Sequence, residues 1–330
     1  MEKKSIPVID MQNFPGKYDE VLREACEEWG CFRLVNHSIP ISLMSEFKAV
    51  VRSLFDLPTE IKQRNTTPLK WSGYGTFKGH EAMTMFDAGT PQGVQEFCSQ
   101  LEVSDHQRKV IESYSESVIA LGIEIWEKLV ASLGLKGDYS IDDWQIYLKM
   151  SKYNFSPETI SSVGLPKHTD VSFVTLIDDD VAALEVMNNK SGEFVAVDPL
   201  PGSTVVLLGD FGPAWSNGKF SNATHRVLCR DPSPRVSINT FLMGPREGAV
   251  EAPEELVDDQ HPRLYVPFTW EYYRTLQYAS EDSWKPALAN VLVNPSTIRA
   301  GVSTQIMHVD VIAMEFSYMF SGVIFIFNKL

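Results

Sequence analysis

The stretch from Lys167 to Ile177, KHTDVSFVTLI, places an imidazole and a carboxylate two residues apart at the start of a strand-like run. Residues i and i+2 of an extended strand point to the same face of a sheet. A strand ending in His168-Thr169-Asp170 would therefore hold both groups side by side. One more imidazole would complete a 2-His-1-carboxylate facial triad, the ligand set suited to non-haem Fe(II) with open positions.

A third candidate metal ligand lies after Asp170, at the start of a later strand-like run. His225 begins another strand-like run, HRVLC (225–229), whereas the second His-x-Asp pair, His308-Val309-Asp310, has no histidine after it. The pair His-x-Asp is weak evidence alone, because it can arise by chance in a chain with seven histidines. The predicted metal ligands are therefore His168, Asp170 and His225.

An acid-binding pair lies ten residues beyond His225. Arg235 and Ser237 occupy positions i and i+2 of one predicted strand. A guanidinium gives two parallel charge-assisted hydrogen bonds to a carboxylate, and a neighbouring hydroxyl adds a third. The order H-T-D, then H, then R-x-S predicts a metal site beside a site for an organic acid.

The hydrophobic pattern changes near residue 145. Before it, the three- and four-residue spacing of apolar side chains predicts helices at 17–29, 42–57 and 105–133, with capping-box spacing at Ser104 and Gln107 and a short strand at 31–35. After it, short runs rich in Val, Ile, Leu, Thr and Phe predict strands at 145–153, 171–177, 194–197, 204–209, 225–229 and 236–243. The predicted fold class is α+β, with a helical N-terminal part packed on an all-β core of sandwich or barrel type, the jelly roll being one solution.

Composition excludes several classes of protein. The formal net charge of −14 disfavours nucleic-acid binding, and no basic run is present to hold an anionic membrane. The first residues lack the apolar stretch of a secretory signal, and none of the four cysteines forms C-x-x-C, so we expect reduced thiols and a cytoplasmic protein. The apolar run at 316–327 is shorter than the ~20 residues of a membrane span. It is interpreted as a packed terminal element, an aberrant terminus or a weak membrane-surface anchor.

Several stretches resemble the plant 2-oxoglutarate/Fe(II)-dependent dioxygenases. They are IPVIDM (6–11), WGCFRLVNHSIP (29–40), KHTDVSFVTLI (167–177), WSNGKFSNATHRVL (215–228), RVSINTFLMGP (235–245) and HPRLYVPFTWEYYR (261–274). The narrower likeness is to the subgroup called dioxygenase for auxin oxidation, carried by LKMSKYNFSPE (148–158), LEVMNNKSGEF (184–194) and EAPEELVDDQHPRLY (251–265). The resemblance implies a double-stranded β-helix with iron at His168, Asp170 and His225.

The same resemblance assigns the cosubstrate site. Arg235 and Ser237 would bind the distal carboxylate of 2-oxoglutarate, and Tyr153 matches a family tyrosine that also bonds it. Ser151 stands where the family usually has Asn, so its reach is shorter. Ascorbate is the implied reductant.

The implied function is oxidation of a small organic molecule by O2 with release of succinate and CO2. The narrower likeness points to conversion of indole-3-acetic acid (auxin) to 2-oxindole-3-acetic acid by a monomeric enzyme. The alternatives are the same chemistry on another plant specialised metabolite and a non-catalytic binding protein. The expected parts are a helical region at 1–144, the jelly-roll core at 145–275 and an atypical tail at 276–330, where the family's closing helix is not recognised.

Other candidates carry weaker signals. Aromatic residues in and near the Gly-rich segment GYGTFKGH (73–80) would line a substrate pocket or pack in the core; they are Trp71, Tyr74, Phe77 and Phe86. His37 is interpreted as structural, and Asp178-Asp179-Asp180 as a solvated turn rather than a calcium site.

Overall fold

The computed structural model describes residues 5–13, 18–68, 72–77, 79–279 and 287–293. Trp71, the His308-Asp310 pair and the apolar run at 316–327 lie outside these residues. The helices are α1 (Tyr18–Glu28), α2 (Ile41–Phe55), α3 (Thr59–Lys62), α4 (Pro91–Gln100), α5 (Asp105–Ser132), α6 (Phe211–Trp215) and α7 (Trp270–Ala279). The strands are β1 (Val8–Asp10), β2 (Cys31–Val35), β3 (Gly75–Phe77), β4 (His80–Met85), β5 (Trp144–Tyr153), β6 (Val163–His168), β7 (Val174–Asp179), β8 (Leu184–Met187), β9 (Phe194–Ala196), β10 (Thr204–Leu208), β11 (His225–Leu228) and β12 (Arg235–Pro245).

Eight strands form the major sheet, in the order β1-β2-β10-β7-β12-β5-β4-β3. Its longest pairing is the antiparallel pair of β5 and β12, which runs from Arg235 opposite Tyr153 to Pro245 opposite Trp144 with a register shift between Leu242 and Gly244. Successive side chains of β5 point to opposite faces of the sheet. Ile146, Leu148 and Met150 join the main hydrophobic core, while the residues between them line a cavity.

The minor sheet has four strands, in the order β6-β11-β8-β9. β6 and β11 run antiparallel and place His225 directly opposite His168. Side chains of both sheets line the same cavity.

Helices cover the other face of the major sheet. The long helix α5 begins at the predicted capping box, in which Ser104 and Gln107 hydrogen-bond each other's backbone. Its buried face packs in the core with the inward side chains of β5 and β12, as its apolar spacing predicted. One face of this sheet therefore packs against helices, and the opposite face lines the cavity.

The predicted helices and the strand at 31–35 are confirmed within a residue or two of their ends, and the fold class is confirmed. The N-terminal part is less purely helical than expected, since β1 and β2 form one edge of the major sheet and β3 and β4 the other. GYGTFKGH, treated as a loop, supplies most of the β3–β4 hairpin. The residue ranges proposed for the three parts stay predictions, although Trp144 begins β5 and α7 continues past residue 275.

The prediction that Asp178, Asp179 and Asp180 form a solvated turn was wrong. Asp178 and Asp179 end β7, and the three carboxylates pair with Lys48, Arg235 and Arg52. The buried Arg235, the largely buried Lys48 and the half-exposed Arg52 thus pair with this acidic run in place of water.

All four cysteines are buried free thiols, as expected. In the part of the chain that the structure describes, no helix is long and apolar enough to cross a membrane.

Candidate active site

Three candidate ligands converge at the cavity wall. One ligand atom from each of His168, Asp170 and His225 can be chosen so that all lie within 4.8 Å of one another. The Nε2 atoms of His168 and His225 lie 3.6 and 3.7 Å from Asp170 Oδ1. We call these residues the metal cluster. Imidazoles and a carboxylate at such spacing fit a divalent ion such as Fe(II).

Backbone carbonyls orient both imidazoles in the same way. His168 Nδ1 lies 2.8 Å from Pro166 O, and His225 Nδ1 lies 3.0 Å from Ala223 O. Each carbonyl comes two residues before its histidine, and a proton on Nδ1 leaves Nε2 free to bind a metal. Burial and the neighbouring His225 lower the pKa of His168 to about 4, which favours the neutral, metal-binding form.

Asp170 reaches the cluster from a loop rather than from the strand. β6 ends at His168, so the prediction that one strand carries both residues was wrong in this detail. Thr175 donates a hydrogen bond of 2.7 Å to Asp170 Oδ2, and the backbone N–H of Asp210 donates one of 2.8 Å to Asp170 O. Gly209 allows this close approach, since a Cβ there would lie 2.7 Å from Asp170 O.

The predicted acid-binding residues lie on the cavity face of β5 and β12. Arg235 is 1% exposed and donates from Nη2 to Asp179 Oδ2 at 2.7 Å. Its Nε and Nη1 atoms are buried without a hydrogen-bond partner among the described residues. A buried unpaired donor is costly, so these two atoms fit a ligand carboxylate. Burial works against the charge of Arg235, but Asp179, Tyr153 and Asp180 together outweigh burial, so the pKa of Arg235 is raised.

Ser237, Ser151 and Tyr153 lie beside Arg235 on the same two strands, and the Tyr153 ring lies 5.1 Å from the guanidinium. Ser237 and Ser151 are opposite each other in the sheet, as are Arg235 and Tyr153. Burial raises the pKa of Tyr153, so its phenol stays protonated and can donate a hydrogen bond. We call Arg235, Ser237, Ser151 and Tyr153 the acid-binding face.

His80 is a cavity residue that sequence reasoning missed. Its ring stacks on Tyr153 at 4.4 Å, and both ring nitrogens are buried without a partner among the described residues. Burial, with Lys149 and Arg235 nearby, lowers its pKa to about 4. The only sequence signal was its position at the end of GYGTFKGH, which was interpreted as a loop.

The cavity has a volume of about 640 Å³. This lies within the ~300–1,000 Å³ typical of small-molecule sites. Beyond the metal cluster and the acid-binding face, its walls include Lys149, Tyr147, Phe241 and Met243 from the major sheet and Arg274 and Gln277 from α7. It therefore has room for a second small molecule beside an acid.

The aromatic candidates have different fates. Phe77 lines the cavity, whereas Phe86 stacks behind it on Tyr147 at 4.9 Å. Tyr74 donates to Glu81 at 2.8 Å and is not among the lining residues. His37 lies away from the cavity, where its Nε2 is 3.2 Å from Thr204 Oγ1, in keeping with a structural role.

A buried carboxylate links α7 to the metal cluster. Asp210 accepts hydrogen bonds from Tyr273 of α7 at 2.6 Å and from Asn222 at 2.7 Å, while its backbone N–H holds Asp170. Neither Asp210 nor Tyr273 was a sequence candidate. Helix α7, which contributes Arg274 and Gln277 to the cavity wall, is therefore anchored to the loop that carries Asp170.

This fold and site define a class of protein, and comparison with known families agrees. Residues 6–114 match the family described as non-haem dioxygenase in morphine synthesis, N-terminal, and residues 144–244 match the 2OG-Fe(II) oxygenase superfamily. The chain belongs to the 2OG-Fe(II) oxygenases and is a 2-oxoglutarate-dependent dioxygenase.

Within this class, the chain is similar to enzymes named for auxin oxidation. It is 43% identical over 296 residues to the rice 2-oxoglutarate-dependent dioxygenase DAO, covering 87% of this chain and 98% of that protein. The crystal structure of dioxygenase for auxin oxidation in rice superposes with a TM-score of 0.82 at 42% identity, covering 88% of this chain and all of that one.

Two Arabidopsis thaliana proteins extend the comparison. The 2-oxoglutarate complex of dioxygenase for auxin oxidation 1 gives a TM-score of 0.76 at 41% identity, covering 78% of this chain and 100% of that one. Jasmonate-induced oxygenase 4 is 31% identical over 290 residues, covering 82% of this chain and 81% of that protein.

Proposed function

We propose that the chain converts indole-3-acetic acid to 2-oxindole-3-acetic acid. The observation that carries this proposal is its 43% identity to rice DAO across 98% of that protein. In the balanced reaction, indole-3-acetate, 2-oxoglutarate and O2 give 2-oxindole-3-acetate, succinate and CO2. One oxygen atom enters the indole ring, and the other enters the new carboxylate of succinate.

The metal cluster would hold the iron. His168 and His225 would bind through Nε2, since carbonyls contact both Nδ1 atoms. Asp170 would bind through Oδ1, because Oδ2 accepts the hydrogen bond from Thr175. When bound, Fe(II) supplies the activation of O2 that no side chain can provide. All three ligand residues line the cavity, so an ion held by them would face it.

The acid-binding face would hold 2-oxoglutarate. Nε and Nη1 of Arg235 would donate to its distal carboxylate while Nη2 stays with Asp179. Tyr153 would add a hydroxyl donor, and Ser237 would add another by exchanging its present bond to Asn239 Oδ1 for one to the ligand. Ser151 would contact the same molecule from the neighbouring strand. Two imidazoles and one carboxylate leave a divalent ion with net positive charge, which favours a dianionic acid beside it.

The proposal is tested with purified protein loaded with Fe(II) under nitrogen and then given 2-oxoglutarate, indole-3-acetate and O2. We expect succinate release that depends on the indole acid, together with a product heavier by one oxygen. His168→Ala is the matched control and should lose both stoichiometric iron and turnover. No stimulated succinate and no oxygenated product from the wild type would contradict the proposal, and full iron in His168→Ala would contradict the ligand set.

We also propose that the enzyme works as a cytoplasmic monomer in the three parts predicted above, with ascorbate keeping the iron reduced. Light scattering of the active protein gives the oligomeric state. Repeated turnovers with and without ascorbate test the reductant, whose omission should shorten the active period.

A further inference from the structure

Lys149 occupies a position on β5 that the proposed iron and cosubstrate sites do not use. Tyr147, Lys149, Ser151 and Tyr153 alternate along the cavity face of the strand. The last two belong to the acid-binding face, so Lys149 is the next cavity residue away from Arg235. Its neighbours in register are Asn239 on β12 and Thr84 on β4, which also line the cavity.

The ammonium of Lys149 forms no hydrogen bond or ion pair with the residues that the structure describes. The other cations of the cavity differ. Arg235 pairs with Asp179, and Arg274 lies over the Trp270 ring at 5.4 Å. Lys152, three residues along the same strand, pairs with Asp56 at 3.1 Å.

Lys149 lies in the electrostatic field of the metal cluster. Burial lowers the pKa of Lys149, and the carboxylate of Asp170 offsets part of this effect by stabilising the ammonium. If Asp170 binds a metal cation, the negative charge of its carboxylate is neutralised by that cation. The ammonium of Lys149 is then left without a nearby anion among the described residues. A partly buried cation without its own carboxylate favours an anionic ligand.

We propose that Lys149 binds the carboxylate of the substrate and so makes the enzyme selective for small organic acids. This inference rests on the proposed function. The cosubstrate does not supply this anion, because its distal carboxylate is assigned to Arg235 and the net positive charge at the metal cluster favours its other carboxylate. The substrate is the remaining molecule in the cavity.

This position also restricts which carbon is oxidised. A carboxylate held between the acid-binding face and Tyr147 stays near the metal cluster, so the reacting carbon is a few bonds from the acid. In indole-3-acetate, ring carbon C2 is adjacent to the carbon that bears the acetate arm. The ring would then lie toward Tyr147, Phe241 and Met243, the aromatic and apolar part of the wall.

The test compares an acid with its neutral amide. Binding of indole-3-acetate and indole-3-acetamide is measured by calorimetry under nitrogen, with the enzyme holding Fe(II) and 2-oxoglutarate. The variants are Lys149→Met, Lys149→Arg and, as a control on the outer face of β5, Lys152→Met. Melting temperatures verify that each variant is folded, and 2-oxoglutarate affinity is measured for each.

We expect the wild type to bind the acid roughly 10- to 100-fold more tightly than the amide, as for a hydrogen-bonded charge pair. Lys149→Met should abolish this preference, Lys149→Arg should retain part of it, and Lys152→Met should keep it in full. Affinity for 2-oxoglutarate should change in none of them.

A Lys149→Met enzyme that still prefers the acid, or that loses 2-oxoglutarate affinity by the same factor, would overturn the inference. Phenylacetate and phenylacetamide separate this result from failure of the proposed function. Turnover of phenylacetate but not of indole-3-acetate, with its acid preference lost in Lys149→Met, would support Lys149 and reject the auxin proposal. If the Lys149→Met enzyme turns over indole-3-acetate and still binds the acid more tightly than the amide, the auxin proposal is supported and the role of Lys149 is rejected.

Discussion

The metal cluster and the acid-binding face satisfy their polar groups in different ways. In the cluster, carbonyls contact both imidazoles and Thr175 bonds Asp170, so the ligands are oriented before a metal arrives. On the acid-binding face, Arg235 keeps two buried donors and the neighbouring His80 two ring nitrogens without partners among the described residues. One end of the cavity is preorganised by the protein itself, and the other depends on a ligand to complete its hydrogen bonds.

The largest expected effect concerns the buried pair of Arg235 and Asp179. Arg235→Leu should remove 2-oxoglutarate binding and lower the free energy of unfolding by about 3–5 kcal/mol, because Asp179 becomes a buried unpaired charge. Urea denaturation and calorimetry measure the two effects, and metal affinity without 2-oxoglutarate should be unchanged.

The double variant Arg235→Leu/Asp179→Leu is its control. It should recover most of the stability without recovering 2-oxoglutarate binding. If the double variant binds the cosubstrate, the acid-binding face has been assigned to the wrong residues.

A pH experiment addresses His80. Its pKa of about 4 in the folded protein is below the ordinary 6.5, so the unfolded chain binds the extra proton first. The associated stability is present above pH 6.5 and lost as the pH falls toward 4. Relative to His80→Phe, which keeps the ring stacked on Tyr153, the wild type should lose about 2–3 kcal/mol of unfolding free energy between pH 7 and 4.5.

Urea titrations of both proteins at several pH values measure this difference. Above pH 7 the two stability curves should run parallel. If the curves stay parallel down to pH 4.5, the pKa of His80 is not lowered in the folded protein. His80 would then not distinguish the acid-binding end of the cavity from the metal cluster.

The smallest expected effect is in the cluster. Thr175→Val keeps the shape of the side chain but removes the hydrogen bond to Asp170, and should weaken metal binding roughly 10- to 100-fold without unfolding the protein. Thr240→Val is the matched control, since the buried Thr240 hydroxyl has no partner among the described residues. Equal metal affinity in both variants would mean that Asp170 needs no orientation by Thr175.

The cluster was the part of the site most accessible to sequence reasoning. Metal chemistry restricts its ligands to a few residue types, and strand alternation made His168 and Asp170 stand out. The strands β5, β10, β11 and β12 were likewise predictable, because each alternates or is continuously apolar between turn residues. The capping box marked the start of α5 correctly.

The features that could not be predicted from the sequence depend on pairing between distant segments. GYGTFKGH contains little apolar alternation, so the β3–β4 hairpin gains its order from pairing with β5. The partner of Arg235 is Asp179, which was predicted to belong to a solvated acidic turn.

Strand alternation places Lys149 on the same face of β5 as Tyr153 and places Lys152 on the opposite face. The sequence therefore indicated that Lys149 faces the cosubstrate site, but this was not used.

The cavity wall joins segments far apart in the described chain, since Phe77 and His80 line it from the β3–β4 hairpin and Arg274 and Gln277 from α7. A growing polypeptide therefore makes its iron ligands well before it can enclose a substrate. The ribosome must release the chain beyond Gln277 before the wall is complete, and such late long-range contacts slow folding. During synthesis, iron would thus meet an open site, and the substrate cavity would be enclosed only as α7 docks.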